Sequence, residues 1–232
     1  MPDYSPLASQ LSSKVSVNSE PRLRITEIFH SLQGETRTVG LPTVFIRLTG
    51  CPLRCHYCDT AYAFYGGEGM RLAEVVQRAE AYKPRYITVT GGEPLAQKSC
   101  LALLSALCDK GYEVSLETSG ALDISQVDPR VVTVLDLKTP ASGESARNLM
   151  SNLEHLKRHD QIKFVVCDAA DYAWAKDQIE KYDLTARCEV LFSPSYQQLP
   201  AATLANWILE DNLSVRMQIQ LHKILWGDVP GH

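Results

Sequence analysis

The chain has 232 residues, 45% hydrophobic and 22% charged, the balance of one soluble globular domain with a sizeable core. Its 23 basic and 27 acidic side chains leave a formal charge of -4, so no global basic field points to nucleic-acid binding. No apolar run approaches the roughly 20 residues of a membrane span, and the N-terminus lacks a signal peptide's basic start and apolar core. Neither nucleic acid nor membrane is therefore expected as a partner, and the cytoplasm is the expected compartment.

Residues 1–20 are rich in Ser and Pro without a sustained period, which predicts a flexible arm ahead of one domain over 21–232. A first extended piece is expected over 24–29, a polar loop over 30–35, and a strand over 43–48 that runs straight into a cysteine-bearing loop. Residues 60–69, rich in Gly and Tyr, predict a loop over the site. Leu72, Val75, Val76 and Ala79 recur at helical spacing and predict a helix over 71–82. Strands over 86–90, 113–117, 131–137, 162–166, 189–192 and 215–219 then alternate with helices over 97–110, 145–158, 172–182 and 201–210. Such alternation implies parallel crossovers. Six or seven units are too few for a closed eight-fold barrel, so the expected fold is α/β, a partial, open parallel β/α barrel.

Cys51, Cys55 and Cys58 stand in C-x3-C-x2-C spacing with Tyr57 before the last. Thiolates this close in sequence can curl around one metal centre. Zinc would require a fourth ligand in tetrahedral geometry, and His56 is poorly placed to supply it. A cubane iron–sulfur cluster takes cysteine thiolates at its corners, and three of them leave one iron open for a small molecule. The bland alternative is a structural zinc loop. Cys100, Cys108, Cys167 and Cys188 sit in apolar patterns and read as buried small side chains; seven cysteines with a tight trio suit a reducing compartment. Gly91-Gly92 carries no β-carbon and lets backbone approach a ligand closely, although two glycines can simply turn the chain. In a parallel barrel the strand ends at 90–93, 117–119, 136–138 and 193–194 converge with the cysteine loop on one mouth.

The C-x3-C-x-aromatic-C motif, followed by Gly91-Gly92-Glu93-Pro94, resembles the two signatures of the radical S-adenosylmethionine superfamily. Within it, the stretch from Phe29 to Glu35, Arg47, Asp59-Thr60, Asp136-Leu137-Lys138-Thr139-Pro140 and Leu221-His222-Lys223 resemble the 7-carboxy-7-deazaguanine synthase family, from about residue 22 to the C-terminus. The resemblance implies a lyase that converts 6-carboxy-5,6,7,8-tetrahydropterin to 7-carboxy-7-deazaguanine with loss of ammonia, on the queuosine route. It implies a [4Fe-4S] cluster, S-adenosylmethionine and Mg2+ as cofactors, flavodoxin or ferredoxin as electron donor, and a homodimer.

Carried over residue by residue, Cys51, Cys55 and Cys58 would hold the cluster. Gly92, Ser119, Asp136, Lys138 and Ser193 would line the S-adenosylmethionine, with Tyr57 and Asp59 beside it. Leu32, Gln33, Gly34, Arg47, Thr90, Glu117 and His222 would hold the pterin, Glu117 as the catalytic carboxylate, and Thr60 would be the magnesium ligand. Arg47 suits a substrate carboxylate because its planar fork binds one bidentately; a plain salt bridge is the alternative. Glu93 reads as structural, tying down its own loop, and His222 could equally be a backbone-bonded histidine. Residues 224–232 form a tail longer than the family pattern. Rival readings are a radical activase acting on a partner protein, a plain iron–sulfur electron carrier and a zinc-based RNA-binding module.

Overall fold

Alternating and near-continuous apolar runs both form strands here, with one face of the sheet packed on helices and the other turned to the barrel interior. The computed structural model describes residues 20–227, 229 and 231, so the arm expected over 1–20 lies outside the described residues except for Glu20. The strands are β1 (Arg22–Leu32), β2 (Pro42–Leu48), β3 (Glu68–Arg71), β4 (Tyr86–Gly91), β5 (Glu113–Thr118), β6 (Val132–Asp136), β7 (Gln161–Val166), β8 (Glu189–Pro194) and β9 (Arg216–Met217). They form one sheet in the order β3-β1-β2-β4-β5-β6-β7-β8-β9. β1 runs antiparallel to β2 and β3, and every neighbour pair from β2 to β9 is parallel. β3 and β9 do not pair with each other, so the sheet is the expected open, partial barrel.

The helices are α1 (Leu72–Glu80), α2 (Ser99–Asp109), α3 (Ala169–Tyr182), α4 (Leu184–Arg187), α5 (Ala201–Glu210) and α6 (Leu221–Trp226). α1 and α2 bury Val75, Val76, Leu103, Leu104 and Leu107 against Val44, Ile46, Ile87 and Leu116 of the sheet. A second cluster packs α3 and α5 on β6, β7 and β8, with Phe164 edge-on to Phe192 at 5.5 Å and to Trp174 at 6.1 Å. Cys100, Cys108 and Cys188 are buried as expected, whereas Cys167 is half-buried.

Several expectations are corrected. The helix over 145–158 is two stretches of 3-10 turn, Ser145–Arg147 and Met150–His155. Asn148 and Asn152 are the physical reason. Asn148 exchanges two hydrogen bonds with the backbone of Lys138, and Asn152 serves Gly120, Leu122 and Ile124. Polar side chains that serve loop backbone this way compete with a regular helix. The loop over 60–69 contains a turn, Ala61–Phe64, and the start of β3, while β1 extends into the expected loop as far as Leu32. The last strand shrinks from 215–219 to Arg216–Met217, and α6 follows it.

Candidate active site

The carboxyl ends of the parallel strands and the cysteine loop surround a cavity of about 390 Å³. Its wall contains every site residue singled out above. Leu32, Gln33, Gly34, Arg47, Thr90, Glu117 and His222 lie on it, with Cys51, Cys55, Tyr57, Cys58, Asp59 and Thr60 from the cysteine loop. Gly92, Ser119, Asp136, Lys138 and Ser193 complete the set.

The cysteine loop is laid directly against the Gly91-Gly92 turn. Gly92 N donates to Leu48 O at 3.1 Å and Glu93 N to Gly50 O at 2.8 Å. A β-carbon on Gly92 would stand 2.3 Å from Gly50 O and 2.8 Å from Cys51 Cβ, so only glycine fits. Glu93 is fully buried and accepts from Leu95 N, Thr118 Oγ1, Ser119 N and the Ser119 hydroxyl. It therefore ties its own loop to the end of β5 as well. His56 N donates to Ser142 O at 3.0 Å, and its ring packs on the turn at Gly143.

Charges alternate across the floor. Lys163 Nζ lies 2.8 Å from Glu35 Oε2 and 3.3 Å from Asp136 Oδ2, which also meets Lys138 Nζ at 3.1 Å. Burial opposes charge on both lysines, but Asp136 and Glu35 outweigh it and hold the ammonium groups above their usual range. Burial raises the Glu117 carboxyl; its carboxylate accepts from Thr90 Oγ1 at 2.9 Å and Gln33 Nε2 at 3.3 Å. Burial pushes Cys55 up to about 11 and raises Cys51 and Cys58 too. Among the described residues, the Tyr57 hydroxyl and Asp136 Oδ1 are buried without a hydrogen-bond partner, both on the cavity wall.

Thr60 Oγ1 donates to Asp59 Oδ1 at 2.8 Å, and Asp59 Oδ2 meets Lys223 Nζ at 3.0 Å and Gln220 Nε2 at 3.1 Å. Lys223 thus pins α6 to the cysteine loop. Glu35, Lys163, Gln220 and Lys223 line the cavity without having been assigned a role from sequence. Lys163 had a signal: it is the one charged residue of the apolar strand β7, on the face opposite Ile162 and Phe164.

The Radical SAM superfamily profile matches residues 45–135. The 7-carboxy-7-deazaguanine synthase of Chlorobaculum tepidum is 44% identical over 215 residues, 91% of this chain and 97% of the relative. The chain belongs to the 7-carboxy-7-deazaguanine synthase family. That of Thermoplasma acidophilum is 37% identical over 209 residues, 89% of this chain and 99% of the relative. The crystal structure of QueE from Escherichia coli matches with a TM-score of 0.73 at 22% identity, covering 87% of this chain and 95% of that one, a likeness of fold.

Family membership makes the chain a radical S-adenosylmethionine enzyme with a [4Fe-4S] cluster and S-adenosylmethionine as cofactors. The residues fit both groups. Cys51, Cys55 and Cys58 are free, half-exposed thiols on one wall, and no three His, Cys, Asp or Glu among the described residues gather around a single ion. A cubane offers separate corners to such a trio. Gly92, Tyr57 and Asp136 line the same space, the last two each with a buried polar atom that lacks a hydrogen-bond partner.

Proposed function

We propose that this cavity is where 6-carboxy-5,6,7,8-tetrahydropterin becomes 7-carboxy-7-deazaguanine with release of ammonia. The observation that carries the reading is the cavity itself: the cysteine trio, a guanidinium and a buried carboxylate share one wall of about 390 Å³ of space. Once bound and reduced by one electron, cluster and S-adenosylmethionine supply the radical that begins the reaction. The chain's own residues bind, orient and shield the pterin.

Glu117 accepts hydrogen bonds from the pterin's amino and ring N–H groups, in the place that Thr90 and Gln33 now share. Arg47 takes the pterin carboxylate on its planar fork. Leu32, Gly34 and His222 close the substrate end, while Gly92, Ser119, Asp136, Lys138 and Ser193, with Tyr57 and Asp59, surround S-adenosylmethionine. Thr60 donates a hydrogen bond to Asp59 and so turns its oxygen lone pairs to Mg2+, with substrate oxygens and water as the remaining ligands. Flavodoxin or ferredoxin supplies the electron, and the enzyme works as a cytoplasmic homodimer. The rival activase assignment finds no support among relatives that carry the synthase name over nearly their whole length.

The test is anaerobic reconstitution with iron and sulfide, followed by mass analysis after adding S-adenosylmethionine, Mg2+, a reductant and the carboxylated pterin. We expect 7-carboxy-7-deazaguanine and ammonia in equal amounts, and none from Cys51→Ala, Cys55→Ala or Cys58→Ala. Cofactor cleavage with the pterin left untouched would overturn the reading.

A further inference from the structure

β1 changes the face it presents partway along. It pairs with β2 as Ile25↔Leu48 and next as Glu27↔Arg47, so Thr26 is an extra residue, a β-bulge. Before the bulge, Leu23 and Ile25 are buried in the helix-covered core with Leu48. After it, Phe29 lines the cavity with Phe45 and Arg47. In a regular strand, residues two apart share a face, so Glu27 would follow Ile25 into the core. The bulge instead turns Glu27 toward Arg47, the re-aiming that bulges beside active sites perform. The Thr26 and Thr49 hydroxyls, 2.7 Å apart, pin the extra residue in place.

The consequence falls on one guanidinium. Arg47 Nε donates to Glu27 Oε1 at 2.6 Å, and the Tyr62 hydroxyl donates to the same oxygen at 2.8 Å. The Arg47 Cζ sits 5.7 Å from the Phe29 ring centroid and 5.8 Å from that of Tyr62, within cation–π range of both. Arg47 and Glu27 are both mostly buried, with side chains 15% and 21% exposed. Among the described residues neither Nη of Arg47 has a hydrogen-bond partner.

We infer that Glu27, brought to the cavity face by the bulge at Thr26, is a positioning residue. It holds Arg47 by Nε so that the two Nη groups present a ready-made fork to a planar anion. An arginine ordered before binding loses less side-chain entropy when its ligand arrives. Tyr62, from the turn after the cysteine loop, supports Glu27 in turn. The inference rests on the reading of Arg47 as the ligand of the substrate carboxylate.

Glu27 also offsets part of the charge on Arg47, so removing it has two opposing effects, and the experiment must separate geometry from charge. Four holoenzyme variants are compared: Glu27→Leu, Glu27→Gln, Tyr62→Phe and Arg47→Met. The KM for the carboxylated pterin is measured together with the inhibition constant of tetrahydropterin, which lacks the carboxylate. For Glu27→Leu, KM should rise on the order of tenfold, the worth of one charge-assisted hydrogen bond. Glu27→Gln keeps an acceptor for Nε without the charge and should stay within about threefold of wild type. Tyr62→Phe, at a half-exposed position that tolerates change, should raise KM in the same direction by about threefold, and it still tests the inference if Glu27→Leu does not fold. Binding of the decarboxylated analogue should be unaltered throughout, which general damage to the fold would not permit.

Tighter binding by Glu27→Leu, equal losses for both ligands, or a Gln variant as impaired as the Leu variant would each overturn the role. If Arg47→Met raises KM while the Glu27 and Tyr62 variants do not, only the positioning role falls. If Arg47→Met leaves KM unaltered, the carboxylate reading falls and takes this inference with it.

Discussion

Gly92 shows how little freedom a single position can have. Its missing β-carbon leaves room for Gly50 O and Cys51 Cβ, so the turn after β4 and the cysteine loop set each other's course. We expect Gly92→Ala to fold, because the crowding lies in loops beyond the carboxyl ends of β2 and β4, but to displace Cys51. Iron bound after reconstitution should drop to a small fraction of the wild-type amount while the far-ultraviolet circular dichroism stays the same. Full iron retention would separate the two loops. Next door, Glu93 accepts from two hydroxyls and two backbone N–H groups while fully buried, an arrangement that holds a carboxylate in place rather than offering it to a ligand. The Arg47 alternatives are not exclusive: the guanidinium makes its ion pair through Nε, which is compatible with the proposed carboxylate on its two Nη groups.

At the scale of elements, α6 is too short to hold itself together in water. Its docking does so instead: Leu221 N donates to Gly34 O at 3.0 Å, Gln220 reaches Glu35 and Asp59, and Lys223 pairs with Asp59. His222 rides on this helix, its Nδ1 where a β-carbon on Gly34 would be, 2.0 Å away. Burial holds the His222 imidazole below its ordinary range, so the folded chain keeps it neutral where the unfolded chain takes up a proton. The unfolded state thus binds more protons as the pH falls through about 6.5, and stability must decline in that direction. The melting temperature should fall as the pH is lowered from neutrality toward about 5.5, and less steeply in His222→Gln. Identical slopes for the two proteins would place the titration elsewhere. How the tail past Gly227 runs lies largely outside the described residues.

Taken whole, the molecule is one continuous sheet with two separate helix-covered clusters behind it and the cavity on the other side. Phe164 is fully buried in the second cluster and contacts Phe192 and Trp174, while its neighbours Lys163 and Val165 face the cavity. Phe164→Ala should cost about 3–5 kcal/mol, read as a lower urea midpoint. Because the sheet joins both clusters, unfolding should remain one transition. A second transition would mean that the two halves melt apart.

The sequence alone determined the grouping of Cys51, Cys55 and Cys58, the turn at Gly91-Gly92, the open β/α barrel and the set of strand-end residues around one mouth. Those are local features: close cysteine spacing, paired glycines, and strand–helix alternation whose handed crossovers leave few topologies. The failures were equally physical. The 145–158 stretch has helical apolar spacing, but Asn148 and Asn152 are committed to backbone 10 to 32 residues away, which no local pattern records. The small helix α6 exists only because Gly34 and Asp59 receive it. The alternation of Leu23, Ile25, Glu27 and Phe29 looks like one face of one strand. Only the pairing of β1 with β2 inserts Thr26 and moves Glu27 and Phe29 to the other face. Register is a property of two strands together, so the partner of Arg47 was decided by tertiary structure and not by the residues around it.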